Sequence, residues 1–258
     1  MNRINTLFQN KKTNILNIYF TAGYPNTGDT LTVLNALQNA GVDMVEIGLP
    51  YSDPVADGET IQNSGQKSLD NGMTLSLLLS QIETIRQNGI TLPILLMGYF
   101  NTILQFGIEN FLISCKKIGI DGVIVPDLPI DVFQNEYKSL FEKYGILNTF
   151  LITPQTTETR IKQIDKLSSG FVYMVSSAST TGAKTDISNT QEAYFERINK
   201  MKLKSPKLIG FGISNKETFL KACNYANGAI IGSAFVNLLE KSSDLNSDIQ
   251  QFVASINN

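Results

Sequence analysis

Eight short apolar runs recur along the 258-residue chain, and a segment with helical periodicity follows each of them. Glycine, proline or polar residues bound these runs, which is the pattern of buried strands. The predicted strands cover residues 14–20, 44–47, 93–97, 122–125, 147–152, 171–175, 207–211 and 228–231. Because a helix separates each strand from the next, we expect the strands to pair in parallel.

The succession of these units predicts the architecture. No linker and no change of composition interrupts them, so they predict one (β/α)8 TIM barrel, an α/β fold, in a single domain over residues 1–258. We also expect a short N-terminal helix and extra helices after strands 2 and 8. One of the helices after strand 2 is predicted over residues 74–88, a turn over residues 98–101, and a short helical turn at residues 232–234 ahead of a final helix near residues 249–256. A doubly wound sheet is the alternative, but the first turn, residues 21–25, lacks the glycine fingerprint typical of that fold.

The amino-acid composition excludes several classes of catalytic site and binding partner. The chain contains no histidine, which excludes Ser-His-Asp and Cys-His catalysis and the usual zinc sites, and no metal site is predicted. The net charge is -2 and the one basic run, residues 202–207, is short, so nucleic-acid binding is not expected. No apolar run approaches the length of a membrane span. Cys115 and Cys223 lie in separate helical patterns, which favours reduced thiols and a reducing compartment.

Two carboxylates stand at the second predicted strand and in the loop after it. Alternation along the strand places Val45 and Ile47 toward the helices and Glu46 toward the barrel interior. Burial should raise the pKa of an acid there, which suits a general acid or a proton shuttle. Asp57 lies in the loop, shortly before a helical run. For either acid alone, an ion pair or a helix cap is the simpler interpretation, whereas the pair at a strand's carboxyl end is typical of acid/base catalysis.

Glycines cluster where strands six to eight end. They are Gly182, Gly210, Gly212 and Gly232, and Ser233 follows the last of them. Small residues let backbone N–H groups approach an anion, and the loops after the last two strands form the usual phosphate site of such a barrel. Each glycine alone is more simply a turn residue, but together they predict a phosphate site.

Several motifs of this chain resemble those of a known family. The most specific is EIGLPYSDPVADG at residues 46–58, followed by TIQ at residues 60–62. Supporting motifs are LMGY at 96–99, DLP at 127–129, Tyr173 with Ser176, TG at 181–182, GFGIS at 210–214 and GSA at 232–234. On these motifs the chain resembles the tryptophan synthase α-subunit family over nearly its whole length.

The resemblance implies a reaction and the residues that perform it. The reaction is retro-aldol cleavage of indole-3-glycerol phosphate to indole and glyceraldehyde 3-phosphate. Glu46 would be the proton shuttle, and Asp57 would stabilise positive charge at the ring nitrogen. The implied substrate-binding residues are Phe20, Tyr99, Ile124, Tyr173, Thr181, Gly182, Phe211, Gly212, Gly232 and Ser233. Phe20, Tyr99 and Ile124 would be apolar walls for the indole ring, although each could instead belong to the barrel core.

The resemblance also implies a partner and a cofactor. The partner would be a tryptophan synthase β subunit in an α2β2 heterotetramer, contacted through Asp53 and Pro54, and the β subunit rather than this chain would hold pyridoxal phosphate. The expected location is the cytoplasm or a plastid stroma. The chain departs from the family pattern at residues 178–179, which read Ala-Ser in place of Gly-Val, and at Glu59 and Thr102, where proline is common.

Three other functions compete with this interpretation. A Schiff-base aldolase would need a lysine within a strand, and Lys207 at a strand entrance is the one lysine near that position in the predicted strands. A subunit that only activates a partner is a second alternative, against which Glu46 and Asp57 argue. A free-standing indole-releasing lyase is the third, and the sequence does not separate it from a subunit.

Overall fold

A computed structural model describes residues 2–176 and 188–257 of the chain. Eight parallel strands form a closed barrel in chain order, which confirms the predicted TIM barrel. The strands are β1 Ile15–Thr21, β2 Met44–Gly48, β3 Ile94–Met97, β4 Gly122–Ile124, β5 Leu147–Ile152, β6 Val172–Val175, β7 Lys207–Gly210 and β8 Gly228–Ile231. The barrel closes where β8 pairs with β1, with Gly228 opposite Ile15.

Helices surround the barrel in the described part of the chain. They are α1 Arg3–Asn10, α2 Thr30–Ala40, α3 Glu59–Asp70, α4 Leu75–Gln81, α5 Phe100–Phe106, α6 Ile108–Ile118, α7 Ile130–Val132, α8 Lys138–Tyr144, α9 Glu158–Leu167, α10 Asn189–Lys200, α11 Lys216–Cys223, α12 Ser233–Lys241 and α13 Leu245–Asn257. A π-helical segment, Phe133–Tyr137, joins α7 to α8. The predicted N-terminal helix and the extra helices after strands 2 and 8 are all present.

Three helices differ from the prediction. A helix was expected over residues 74–88, but the α-helix α4 ends at Gln81 and turns continue to Gly89, although Ile82 and Ile85 remain buried as expected. The segment that follows β3 was expected to be a turn, and it forms α5. A short helical turn was expected directly after β8, and α12 extends over nine residues because its apolar face packs on the core.

Side chains alternate between two core layers along each strand. On β2, Val45 and Ile47 belong to the layer between barrel and helices, whereas Met44 belongs to the barrel interior. Glu46, which lies between Val45 and Ile47, is fully buried. The alternation predicted for this strand is therefore confirmed, because adjacent side chains of a strand point to opposite faces.

The N-terminal helix closes the amino end of the barrel. Ile4 and Phe8 of α1 are buried in the same cluster as Ile15 and Met44, the first residues of β1 and β2. With this end filled by apolar side chains, the carboxyl ends of the strands are the open face, where the active sites of TIM barrels lie.

Candidate active site

Glu46 lies inside the barrel, where one side chain of the described part of the chain hydrogen-bonds its carboxyl group. The side-chain amide of Asn17, on the adjacent strand β1, donates from Nδ2 to Oε1 of Glu46 at 2.6 Å. The other carboxyl oxygen, Oε2, is buried and has no partner within the described residues. Burial raises the pKa of Glu46 to about 8, and the hydrogen bond from Asn17 opposes this rise. A carboxyl group with such a pKa can both give and take a proton near neutral pH.

Asp57 is held by a tyrosine hydroxyl from the next strand's loop. Oη of Tyr99 donates to Oδ2 of Asp57 at 2.9 Å and accepts the backbone N–H of Ala56 at 2.9 Å. The ring of Tyr51 stacks on Tyr99 with 5.0 Å between ring centroids. Burial raises the pKa of Asp57, and the hydrogen bond from Tyr99 lowers it. Tyr99 was expected to be an apolar wall, and its hydroxyl also positions an acid.

Two further tyrosines lie within electrostatic range of both acids. Burial and then the charges of Asp57 and Glu46 raise the pKa of Tyr19 and of Tyr173, so both phenols stay neutral at ordinary pH. Each hydroxyl occupies space that a glycine leaves open. A Cβ at Gly48 would lie 2.0 Å from Oη of Tyr19, and one at Gly210 would lie 2.2 Å from Oη of Tyr173.

The expectation for Phe20 needs correction. Phe20 is fully buried in the layer between barrel and helices, whereas Tyr19, one residue earlier, faces the interior. The sequence pattern indicates this orientation, because Leu16, Ile18 and Phe20 are apolar and the residues between them are more polar. Neither Tyr19 nor Asn17 was identified from the sequence as a residue of the site.

The segment after β7 and the start of α12 carry the predicted anion-binding residues. Phe211 and Gly212 both have positive φ, 66° and 77°, which is unusual for a bulky residue such as phenylalanine. The hydroxyl of Ser176 donates to the carbonyl oxygen of Phe211 and fixes this turn. Gly232 is the N-cap of α12 and Ser233 its first residue, so the unpaired N–H groups of this helix end are available to an anion.

The remaining predicted residues fall in three places. Ile124 lies in the interior cluster of the barrel. Thr181 and Gly182 lie outside the described residues, as do the departures at residues 178–179. Asp53 is exposed and accepts a hydrogen bond from the hydroxyl of Ser52 at 2.6 Å, and Pro54 is partly exposed beside it. Lys207 is the first residue of β7, at the end opposite to the acids, so it does not suit a Schiff-base site.

Comparison with known proteins supplies the family. A family model described as the tryptophan synthase alpha chain matches residues 5–258. The chain belongs to the tryptophan synthase alpha chain family. The family's alpha reaction is the cleavage of indole-3-glycerol phosphate, so the chain is a lyase of tryptophan biosynthesis, as the resemblance implied.

Individual relatives match along most of their length. The tryptophan synthase alpha chain of Flavobacterium johnsoniae is 55% identical over 256 residues, which cover 99% of this chain and 100% of the relative. That of Bacteroides thetaiotaomicron is 52% identical and covers 95% of each chain. Among solved structures, the tryptophan synthase A-subunit of Pyrococcus furiosus has a TM-score of 0.86 at 34% identity, covering 95% of this chain and 98% of that chain. A tryptophan synthase complex from the same organism gives the same TM-score, identity and coverage.

Two further observations concern metal-binding groups and membrane-spanning helices. Over residues 2–176 and 188–257, histidine, cysteine, aspartate and glutamate side chains form no group of three that could hold a metal ion. In the same ranges no helix combines the length and apolar character that crossing a membrane requires.

Proposed function

We propose that Glu46 and Asp57 carry the retro-aldol cleavage in this chain. Glu46, in its protonated form, gives its proton to C3 of the indole ring. The tautomer formed carries positive charge at the ring nitrogen, next to which Asp57 acts as a fixed negative group. Glu46, now ionised, removes the proton of the side-chain hydroxyl. The carbonyl of glyceraldehyde 3-phosphate then forms, the bond to C3 breaks, and its electron pair restores the aromatic ring of indole.

The observation that carries this proposal is the placement of the two acids. β2 holds Glu46 in the interior with a pKa near 8, and the loop that leaves β2 places Asp57 against Tyr99. Both acids act electrostatically on the same phenol rings, those of Tyr19 and Tyr173. Together with Ile124, these rings provide the apolar and aromatic surroundings that a planar indole requires.

We further propose that backbone N–H groups near Gly212 and at the start of α12, with Ser233, hold the substrate phosphate. Thr181 and Gly182 would complete this site from the loop after β6. The nine-residue helix α12 supports the proposal, because the positive end of a helix dipole favours a phosphate dianion. Phe211, whose ring lies 6.2 Å from that of Tyr173, would separate the phosphate from the indole pocket.

The proposed partner is a β subunit that contains pyridoxal phosphate, in an α2β2 assembly. The solved complex from Pyrococcus furiosus supports a partner of this kind. The loop between β2 and α3 would contact it through Asp53 and Pro54, and Val55 beside them is 81% exposed. We place the assembly in the cytoplasm, because bacterial relatives favour it over a plastid stroma.

One assay tests this function. Purified chain is supplied with indole-3-glycerol phosphate, and indole release is measured with and without a β subunit. We expect slow release by the chain alone and faster release with the partner, since docking would order the loop that carries Asp57. Fast indole release that does not change when the β subunit is added would favour a free-standing lyase. No release in either condition would favour an activator subunit.

A further inference from the structure

Asn17 is the one side chain of the described residues that hydrogen-bonds the carboxyl group of Glu46. Its Nδ2 lies 2.6 Å from Oε1 of Glu46, and both side chains are fully buried. On the neighbouring strands, Asn17 pairs in register with Met44 and Ile230, which are apolar. A polar amide therefore stands between two apolar side chains of the adjacent strands, next to the proposed proton shuttle.

The fold does not require an amide at this position. Oδ1 of Asn17 is buried and has no hydrogen-bond partner within the described residues. A buried polar atom without a partner costs free energy, and leucine, which has a similar shape, would avoid this cost among Met44 and Ile230. The benefit of asparagine must therefore come from its N–H group, which donates to Glu46.

We infer that Asn17 is a positioning residue for Glu46, which fixes the carboxyl group through Oε1 and leaves Oε2 to exchange protons with the substrate. This inference rests on the proposed role of Glu46. An N–H group cannot accept a proton from the carboxylic acid, so the acidic proton is directed to Oε2, the oxygen that has no partner among residues 2–176 and 188–257. One rotamer of Glu46 can then serve both proton transfers.

Charges around Glu46 make the contribution of Asn17 measurable. Tyr19 on β1 and Tyr173 on β6 interact electrostatically with Glu46, and both are neutral phenols. Asp57 interacts with the same two phenols from the loop after β2. The hydrogen bond from Asn17 favours the ionised carboxylate and thereby lowers the pKa of Glu46 against the effect of burial. Its loss should raise that pKa further.

The test is Asn17→Leu, with Asn148→Leu as the matched control. Asn148 is also a buried barrel asparagine whose Oδ1 has no partner within the described residues, but it pairs in register with Val123 of the outer layer. In Asn17→Leu we expect the limb of the pH–rate profile that Glu46 controls to move up by about one pH unit. We also expect kcat to fall by up to about 100-fold with little change in KM. The control should leave the pH profile in place, whatever its effect on stability.

Comparison of Glu46→Gln, Asn17→Leu and the double variant separates this inference from the proposed function. If Glu46→Gln retains turnover, the role of Glu46 is wrong and the inference falls with it. If Glu46→Gln is inactive but Asn17→Leu keeps the wild-type pH profile and kcat, the inference alone is wrong. We expect Asn17→Leu to cause no further loss in the Glu46→Gln background, because it acts through that carboxyl group. The infrared carboxyl band that disappears in Glu46→Gln belongs to Glu46, and its pH dependence gives the pKa of Glu46 directly. If Asn17→Leu does not fold, Asn17→Ala provides the same test.

Discussion

At the residue scale, the raised pKa of Glu46 couples stability to pH. The pKa is raised from 4.5 to about 8, so the folded chain keeps a proton that the unfolded chain has lost between these values. Stability should therefore fall as pH rises from about 4.5 to about 8 and stay level above, at about 1.4 kcal/mol for each unit of pKa difference. Glu46→Gln removes this loss of stability, because glutamine does not titrate. We expect its Tm to exceed that of the wild type by a margin that grows across this range, as measured by thermal unfolding; a constant margin would contradict the raised pKa.

Tyr99 should matter through its hydroxyl group. Tyr99→Phe keeps the ring that stacks on Tyr51 but removes the donor to Asp57 and the acceptor for the N–H of Ala56. Asp57 would be less well placed, so we expect kcat for indole release to fall by about 10-fold to 100-fold. Tyr144→Phe is the control, since it removes an exposed hydroxyl that bonds Glu109. Equal rates in the two variants would argue against a role for the Tyr99 hydroxyl.

Residue positions were predictable where alternation was clear. A carboxylate between Val45 and Ile47 could only face the interior, and the structure places it there. Phe20 was expected to be a wall of the indole pocket, but it lies in the layer between barrel and helices. Aromatic character alone does not distinguish it from Tyr19. The hydrogen bonds of Asn17 and Tyr99 were not predictable, since they depend on contacts between neighbouring strands or between a strand's end and a loop.

At the element scale, closure of the barrel depends on close approach of β8 to β1. A Cβ at Gly228 would lie 2.0 Å from the carbonyl oxygen of Ile15, a backbone atom that cannot move aside. We expect Gly228→Ala to destabilise the chain by about 3 kcal/mol or more. Gly65→Ala is the control: it lies in α3 with nothing within 4 Å of its Cβ position, and alanine there should stabilise by about 0.5–1 kcal/mol. Chemical denaturation measures both stabilities, and similar values for the two variants would contradict the need for close approach at Gly228.

Elements themselves were easier to predict than their ends. The eight strands were evident because each is a short apolar run between turn residues. The apolar face of residues 74–88 was also correct, but a periodic pattern does not reveal where α-helical hydrogen bonds give way to turns. In this segment N–H groups of Glu83 and Ile85 bond carbonyls three residues earlier. Residues 98–101 were interpreted as a turn, so the helix α5, which begins at Phe100, was not predicted.

At the scale of the whole molecule, the order of eight strand–helix units was enough to predict the barrel, because few other folds repeat this unit eight times. That the whole chain forms one domain stays a prediction, as do the assembly and the phosphate site. These depend on a partner, on a ligand and in part on residues 177–187, none of which a pattern of apolar residues describes.

The partner should be recognised through the loop between β2 and α3. Asp53 is exposed there, and its removal should weaken docking without touching Glu46 or Asp57. We expect Asp53→Ala to reduce the acceleration by the β subunit several-fold while the basal rate of indole release stays near the wild-type value. Asp70→Ala, at an exposed acid that bonds Gln66, is the control. The measurement is a titration of the β subunit against each variant, and identical titration curves would contradict a contact at Asp53.

Whether Glu46 moves the protons is decided by the rate of indole release. This rate is measured across pH for the wild type and for Glu46→Gln, with the β subunit saturating. Glu83→Gln, at an exposed glutamate that pairs with Lys117, is the control. We expect indole release to fall by at least about 10²-fold in Glu46→Gln. We also expect the wild-type rate to decline as pH rises through about 8, because the protonated form of Glu46 begins the reaction. A Glu46→Gln rate close to that of the wild type would contradict this role of Glu46.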